Sequence, residues 1–487
     1  MKPKNLFAAL LLLAAAFGTN AMTAGTIAND GKKAPGVDNV NLKSLMSKKP
    51  KKGKIVKETY NETLGFKDLE LSNGVHVLIK PLESVQDGIL MTAMQRGGSS
   101  LYGEEDWANC EMFGFVLGDY HMASWDTDPD NKQVKIHQSM EIDMDHIQGS
   151  ATAKDMETLF QLTYLQFTGA IPRDEDRYNK VLHNYETTLR EEALEDHDAT
   201  GVFLDSIFSV MHNHNWRYKR FKAADLARVS YDRILEIAKE RTANAAGYTF
   251  VFTGAFKEAA IRPLIERYIA SLPADTSVKP NRVNVATYPQ GETVCHFKSK
   301  METPITKINI RWINTQIPCS DENYLKAQFL SNYLKMKVYW NKMGENVGVI
   351  GRVGGNEQHY MVGDVPFTEV HSFVDVKPEF ADQVIQMLKE EMLRACGHID
   401  AASIDELKKG ELERIERREK ASDEKDDWSR IYSESSAITE YAFHGTHYDM
   451  SEYKQTVMSL TPESISAFAR QLLSTGHMIE IVMSPAE

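Results

Sequence analysis

Two stretches of the chain decide the fold: "VSYDRILEIAKERTANAAGYTFVFTG" at residues 229–254 and "LTPESISAFARQLLSTGHMIEIVMSP" at residues 460–485. Each is typical of a polar-capped helix, a turn with a glycine and a strand rich in β-branched, aromatic or other apolar residues. The second stretch begins 231 residues after the first. Self-similarity at a fixed spacing indicates that one structural unit occurs twice.

A second pair of segments supports the duplication. Residues 149–182 and 375–412 both show apolar residues three and four positions apart, the pattern of an amphipathic helix. Each unit therefore runs as strands, helix, long strand, several helices and a final strand. We expect an α+β fold of two homologous domains, each a mainly antiparallel sheet with helices packed on one face. The predicted boundaries are 61–275 for domain 1, 276–290 for a linker and 291–487 for domain 2.

The amino terminus has the pattern of an export signal. Lys2 and Lys4 precede the apolar run "LFAALLLLAAAF", and small residues lead up to Ala21. This pattern predicts a signal peptide over residues 1–21 and an exported protein, periplasmic if the source is a Gram-negative bacterium. The run is too short to span a bilayer, so we expect no transmembrane segment in the mature chain. Residues 22–60, rich in lysine and glycine, are predicted to form a flexible basic leader.

The net charge of the chain argues against one class of partner. The whole chain carries a formal net charge of −13 at pH 7. Taking away the two lysines of the signal, and the nine lysines and three acidic residues of the leader, leaves −21 for residues 61–487. An acidic body of this kind argues against nucleic acid as a ligand.

The cysteines give no clear pattern. Cys110, Cys295, Cys319 and Cys396 are scattered and form no C-x-x-C pair. A chain of this length does not depend on disulfides, so packed thiols and a single bridge both stay open.

Four segments together resemble a known family: "LSNGVHVLIKP" (71–81), "ILMTAMQRGGSSLY" (89–102), "SATAKDMETLFQLTYLQFT" (150–168) and "YTFVFTGAFKEAAIRPLIERYIASLP" (248–273). They resemble the pitrilysin/insulinase family of zinc peptidases, which are of the inverzincin type, and in particular the carboxy-terminal half of its long bacterial members. The resemblance covers roughly residues 65–487. It implies the two-domain α+β fold expected above.

The zinc motif of that family is absent at its expected place. In the family, two histidines of an H-x-x-E-H helix bind zinc, the glutamate activates the bound water, and a later glutamate completes the ligands. The matching helix reads "WANCEMFGF" and contains no histidine. Cys110, Glu111 and Gly114 fall near the expected places, and Glu191 lies at about the distance of the later glutamate. The resemblance therefore implies a degenerate site without a cofactor, zinc being expected only in an active partner.

Other donor groups are candidate metal ligands. They are Glu192, Glu195 and His197 near Glu191, His212 and His214 in "HNHNW", and His444 and His447 in "HGTHYD". The resemblance implies an ordinary turn around "HNHNW", which favours surface or structural histidines there. His444 and His447 are three residues apart, and such a pair can bind metal if it lies on a helix. A surface or structural role is nevertheless favoured for this pair and for the groups near Glu191.

The second catalytic element of the family is also missing. Its carboxy-terminal half supplies an arginine and, seven residues on, a tyrosine, which hold the scissile carbonyl and its developing oxyanion. The matching stretch here is "WNKMGENV". Trp340 stands in the place of the arginine and Val347 in the place of the tyrosine.

These observations predict a function without catalysis by this chain alone. The family encloses its substrate between two halves, each of two domains, and this chain resembles a degenerate half. We therefore expect an exported, non-catalytic subunit that pairs with a catalytic insulinase-family homologue and helps to bind extended peptides. The alternatives are a stand-alone peptide-binding or scaffold protein and, in third place, an active zinc metallopeptidase with an atypical site.

Overall fold

The computed structural model describes residues 46, 48–117, 134–169, 173–195, 199–278, 285, 287–337, 348–362, 365–423, 426–445 and 450–486. Within these ranges the chain forms two β-sheets, each accompanied by helices. None of the helices in these ranges combines the length and the apolar character that crossing a bilayer requires.

The first sheet has seven strands in the described part of the chain. In chain order they are β1 (Ile55–Asn61), β2 (Phe66–Leu71), β3 (His76–Pro81), β4 (Ile89–Arg96), β5 (Val134–Met140), β6 (Met144–Ala151) and β7 (Thr249–Gly254). Their order across the sheet is β1-β2-β3-β7-β4-β6-β5. Neighbouring strands are antiparallel except β3 and β7, which run parallel.

The second sheet has five strands in the described part of the chain. They are β8 (Glu292–Ser299), β9 (Thr306–Asn314), β10 (Val349–Val362), β11 (Val365–Val376) and β12 (His477–Pro485). Their order is β10-β11-β9-β12-β8, and β12 and β8 are the parallel pair. Strands β8, β12, β9, β11 and β10 thus repeat the positions and directions of β3, β7, β4, β6 and β5. The predicted fold of two homologous, mainly antiparallel α+β units is confirmed.

Most of the helices repeat in the same way. The first unit contains α1 (Trp107–Leu117), α2 (Met156–Thr168), α3 (Glu175–Glu195), α4 (Ala199–Met211), α5 (Tyr231–Thr242) and α6 (Glu258–Leu264). The second contains α7 (Asp321–Lys335), α8 (Ala381–Gly397), α9 (Ala401–Asp423), α10 (Asp427–His444), α11 (Met450–Ser459) and α12 (Pro462–Leu473). Helices α5 and α12 both start after a hydroxyl N-cap, Ser230 and Thr461, which accepts a bond from a backbone N–H of the first turn.

Each sheet packs one apolar face against helices of its own unit. In the first unit, Phe160 of α2 stacks on Phe252 of β7 with ring centroids 4.7 Å apart. In the second unit, Trp312 and Val370 lie in one core with Phe329 of α7 and further residues of α8 and α12. Burial of these apolar side chains is the main stabilising contribution in each unit.

The opposite face of each sheet receives a helix from the other unit. Helix α4 of the first unit buries Phe203, Ile207, Val210 and Met211 against Ile313, Phe367, Ile479, Ile481 and Met483 of the second sheet. Helix α10 of the second unit buries Ile438 against Phe66, Leu78 and Val251 of the first sheet. The two helices hold equivalent places in the repeat, so the units exchange the same element. The exchange places a helix of the other unit on the second face of each sheet. The sequence predicts helices on one face only.

The spacing of 231 residues holds for helices α5 and α12 but not for the faces of the final strands. Phe250 and Phe252 of β7 face the helices of their own unit. Ile481 and Met483 lie 231 residues later, yet they face α4 on the other side of the second sheet. Successive side chains of a strand point to opposite faces of the sheet. A difference of one residue between the lengths of the turns before β7 and β12 therefore moves equivalent side chains to the opposite face.

The last part of the predicted basic leader is joined to the first unit. Lys49 forms an ion pair with Glu157 of α2, and Lys52 lies 3.3 Å from Glu266. The backbone N–H of Gly53 donates to the carbonyl of Glu266 at 2.8 Å. Strand β1 then begins at Ile55, so residues 55–60 of the predicted leader form most of that strand.

The exchanged helices provide a test of how the two units depend on each other. Ile438 is fully buried between α10 and the first sheet. We expect Ile438→Ala to destabilise the protein by about 2–5 kcal/mol, because it removes buried methyl groups and leaves a cavity. Thermal and urea unfolding measure the effect. The matched control is Ile350→Ala, whose side chain is 43% exposed and whose loss is expected to change little. Equal effects of the two substitutions would contradict the exchange.

Candidate functional site

A glycine turn fixes the start of the segment that leads from β4 to α1. Gly97 and Gly98 both have positive φ angles, 136° and 54°. The backbone N–H of Gly97 donates to Asp143, and that of Ser99 donates to Glu141, each at 2.8 Å. A Cβ atom at position 98 would lie 2.2 Å from the Glu141 carbonyl oxygen. The turn therefore requires glycine and holds α1 against the hairpin between β5 and β6.

Helix α1 is packed as a core helix on most of its surface. Trp107 stacks on Phe221 with ring centroids 5.5 Å apart. The ammonium group of Lys219 lies 4.0 Å from the centre of the Trp107 ring, in a cation–π contact. Trp107 thus belongs to a buried aromatic cluster and offers no metal-ligand atom.

Cys110 lies inside the same cluster and does not have the properties of a metal ligand. Its side chain is buried. Burial, followed by the nearby carboxylates of Asp106 and Glu111, raises the pKa of the thiol to about 12, and the guanidinium groups of Arg217 and Arg233 only partly oppose this rise. A thiol must lose its proton to bind zinc, so Cys110 is a poor ligand.

Glu111 differs from its neighbours because it reaches solvent. The side chain is exposed, yet protein surrounds it on most sides. This burial raises the pKa of its carboxyl to about 7, and the positive charge of Lys219 opposes the rise. Gly114 is half-buried on the same side of the helix, and a Cβ atom there would lie 3.6 Å from Ser139, an ordinary contact.

The remaining sequence-predicted residues are only partly within the described ranges. Glu191 lies near the end of α3, which contacts α1 through Tyr185 and Phe115, whose ring centroids are 4.8 Å apart. The structure therefore places the backbone of Glu191 on a helix next to α1. Trp340 and Val347 lie outside the described residues.

The donor groups of α1 do not fit a hydrolytic zinc centre. Such a centre needs three protein ligands around one open position, and the helix provides a protonated buried thiol, a single carboxyl and no imidazole. Among the residues that the structure describes, no group of three or more His, Cys, Asp or Glu side chains is arranged to hold a metal ion.

The histidines weighed as ligands have other contacts. His212 is buried and stacks on Tyr218 with ring centroids 3.7 Å apart. Burial and then the charge of Arg311 lower the pKa of His212 to about 4, against an opposing effect of Glu369. The ring of His214 lies 2.7 Å from the Ser209 hydroxyl.

Of the second pair of histidines, the structure describes only His444. Helix α10 ends at His444, and Gly445 follows in the left-handed conformation that terminates helices. His447 lies outside the described residues, as does His197. Glu192 and Glu195 lie in the last turn of α3.

The structure also contains a buried ionic network that the sequence reasoning missed. One guanidinium nitrogen of Arg311 lies 2.7 and 2.8 Å from the two carboxylate oxygens of Glu369. The ring of His371 lies 2.7 Å from the same carboxylate. Burial raises the pKa of Glu369. The charge of Arg311 and the hydrogen bond with His371 outweigh this effect and hold the pKa at about 2. The network lies on the face of the second sheet that α4 covers, and alternating polar residues in "TEVHSF" were the available signal.

Comparisons with known proteins agree with this geometry. Residues 228–411 match the family model described as the Peptidase M16 inactive domain. A zinc protease PQQL-like protein of Arabidopsis thaliana is 24% identical over 229 residues, which are 47% of this chain and 22% of that protein. The pitrilysin/insulinase resemblance is confirmed.

Solved structures of M16 peptidases share the fold. The periplasmic protease PqqL from Escherichia coli superposes with a TM-score of 0.71 at 16% identity, over 94% of this chain and 49% of that chain. A peptidase M16 inactive domain from Pseudomonas fluorescens gives a TM-score of 0.61 at 10% identity, over 87% of this chain and 98% of that chain. The chain thus spans about half the length of PqqL and less than a quarter of the plant relative.

Substitution of two glycines near the site by alanine is expected to change the stability of the protein in opposite directions. Gly114 lies in a regular helix with room for a Cβ atom, so Gly114→Ala is expected to stabilise the protein by about 0.5–1 kcal/mol. Gly98→Ala is expected to destabilise it by at least about 1 kcal/mol, because of the positive φ angle and the clash with Glu141. Thermal unfolding of both variants measures this. A stabilising Gly98→Ala would show that the turn is not built as described.

The environment of Glu111 predicts a pH dependence of stability. Its pKa is about 7 in the folded protein against an ordinary value of 4.5. The folded state binds this proton more tightly, so the stabilisation is present below pH 4.5 and is lost as the pH rises through 7. We expect Glu111→Gln to match the wild type in acid and to unfold at a higher temperature above pH 7. The effect is expected to be small, because the side chain reaches solvent. A difference between the two proteins that does not vary with pH would contradict the raised pKa.

Proposed function

We propose that this chain is an exported, non-catalytic subunit of an insulinase-type peptidase. It pairs with a separate zinc-bearing half of the same family, and the two together enclose an extended peptide. Zinc is supplied by the partner, where it would activate the attacking water. This chain contributes a wall of the enclosure and part of the surface that holds the peptide.

One observation carries the proposal: α1, which lies between β4 and β5, offers no imidazole. The resemblance matches this helix to the catalytic helix of the family. Cys110 is buried with a raised pKa, which makes it unsuitable as a zinc ligand or a nucleophile. The scaffold that presents the helix is nevertheless complete, including the glycine turn at its start. A scaffold kept without its chemistry is suited to a structural and binding role.

The length of the match supports pairing as the way in which the chain works. It superposes on 49% of PqqL, which is described as a periplasmic protease. A protein with the extent of one half needs a second half to enclose a substrate. We propose a periplasmic location for the same pair, in agreement with the signal pattern of residues 1–21.

The proposal is tested by mixing the purified chain with a catalytic homologue from the same organism. We expect a complex in size-exclusion chromatography that weakens at high salt, because an acidic subunit is attracted to complementary charge and salt screens that attraction. We also expect the homologue to cleave unfolded peptide faster in the mixture. An unrelated acidic protein of similar mass is the control. If the two proteins elute separately at every salt concentration and the homologue is equally active alone, the pairing proposal fails.

The same preparation separates the remaining alternatives. Peptide binding by the chain alone, with no effect on any homologue, favours a stand-alone binding protein. Elemental analysis with about one zinc per chain, lost in a Glu191→Ala variant, favours an active peptidase with an atypical site. We expect no stoichiometric zinc.

A further inference from the structure

Helix α1 exposes a narrow stripe of three residues. Eight of its eleven residues are buried, and the others are Glu111, Gly114 and Phe115. Residues three and four positions apart lie next to each other on a helix surface, so the three form one continuous patch. A helix this apolar is ordinarily covered on all sides, which makes the open stripe a distinct feature of the surface.

The aromatic end of the stripe is fixed in place. Phe115 is 51% exposed, and its ring lies 4.8 Å from that of Tyr185 at an interplanar angle of 42°. Tyr185 in turn lies 5.8 Å from the buried ring of Phe221. Phe115 is therefore held by a group of packed aromatic rings, and its exposed side presents an aromatic surface to solvent. Gly114 beside it has no side chain, so the surface next to the ring is open down to Ser139.

The acidic end of the stripe lacks a partner within the described part of the chain. No hydrogen bond joins the Glu111 carboxylate to a described residue, and its charged neighbour is Lys219. Lys219 already has two other contacts, the ring of Trp107 at 4.0 Å and the carboxylate of Asp225 at 3.4 Å. A carboxylate with protein on most sides and no donor of its own is stabilised by a cation that a ligand brings.

We propose that this stripe binds one basic side chain, lysine or arginine, of an extended peptide. The charged group meets Glu111, and the aliphatic stem lies over Gly114 against the ring of Phe115. The Cβ atoms of residues four apart on a helix are separated by about 5–6 Å, which suits the length of a lysine or arginine stem. The acidic body of the chain attracts the same class of peptide. The inference rests on the proposed function, since it names the kind of peptide that this half holds.

Fluorescence anisotropy with two labelled peptides tests the inference. Both are unstructured and rich in alanine and serine; one has a single central lysine and the other norleucine, which keeps the stem and removes the charge. Measurements are made with the mature chain at low salt and above pH 7, where the Glu111 carboxyl is ionised. We expect the lysine peptide to bind about tenfold more tightly than the norleucine peptide.

Three variants assign the effect to the stripe. Glu111→Gln is expected to remove the preference for lysine and to leave norleucine binding unchanged. Phe115→Ala is expected to weaken both peptides to a similar degree. Glu105→Gln removes the same charge from an exposed residue of the turn before α1 and is expected to change neither.

The outcomes distinguish this inference from the proposed function. If the wild type binds both peptides equally, or if Glu105→Gln removes the preference as much as Glu111→Gln, the stripe is not a site for basic side chains and the peptide-holding role stands. If the wild type and its complex with a catalytic homologue bind neither peptide, the peptide-holding role itself fails. Loss of the lysine preference in Glu111→Gln alone supports the inference.

Discussion

The exchange of α4 and α10 between the two units is the constraint on which the rest of the structure depends. A sheet with two apolar faces must cover both, and each unit covers only one with its own helices. Ile438 fills the second face of the first sheet, and Phe203 and Ile207 do the same for the second sheet. Neither unit has a complete core without the other. The repeat that the sequence shows as two similar domains is therefore one interdependent folded body.

Helix α1 is stabilised by packing on most of its surface. Trp107 and Cys110 are buried with Phe221, and burial of their apolar surface stabilises the helix. Zinc ligands and a catalytic carboxylate would have to face a polar cavity, which costs packing energy in a helix that lies against a core. Within α1, Glu111, Gly114 and Phe115 are the residues that are not buried. The helix is therefore a packed element with a narrow open stripe.

Much of the architecture could be predicted from the sequence because it depends on local patterns. The caps at Ser230 and Thr461 determine where helices begin, and the repeat indicates the order of the elements. The reversal of faces between Phe250 and Ile481 could not be predicted, because it depends on one residue in a turn. An amphipathic helix shows that it has an apolar face but not which sheet will cover it. The exchange of helices and the environment of Glu111 depend on residues far apart in the chain, and no local pattern contains them.

The linker takes part in this arrangement as well. The side chain of Asn215, just beyond α4, donates to the carbonyl of Val285 at 3.1 Å, and Thr287 donates to the carbonyl of His212 at 2.7 Å. Tyr288 then stacks on Phe367 of the second sheet with ring centroids 4.7 Å apart. These contacts join the end of α4, the linker and the second sheet at one place. The linker thereby holds the exchanged helix on the second sheet.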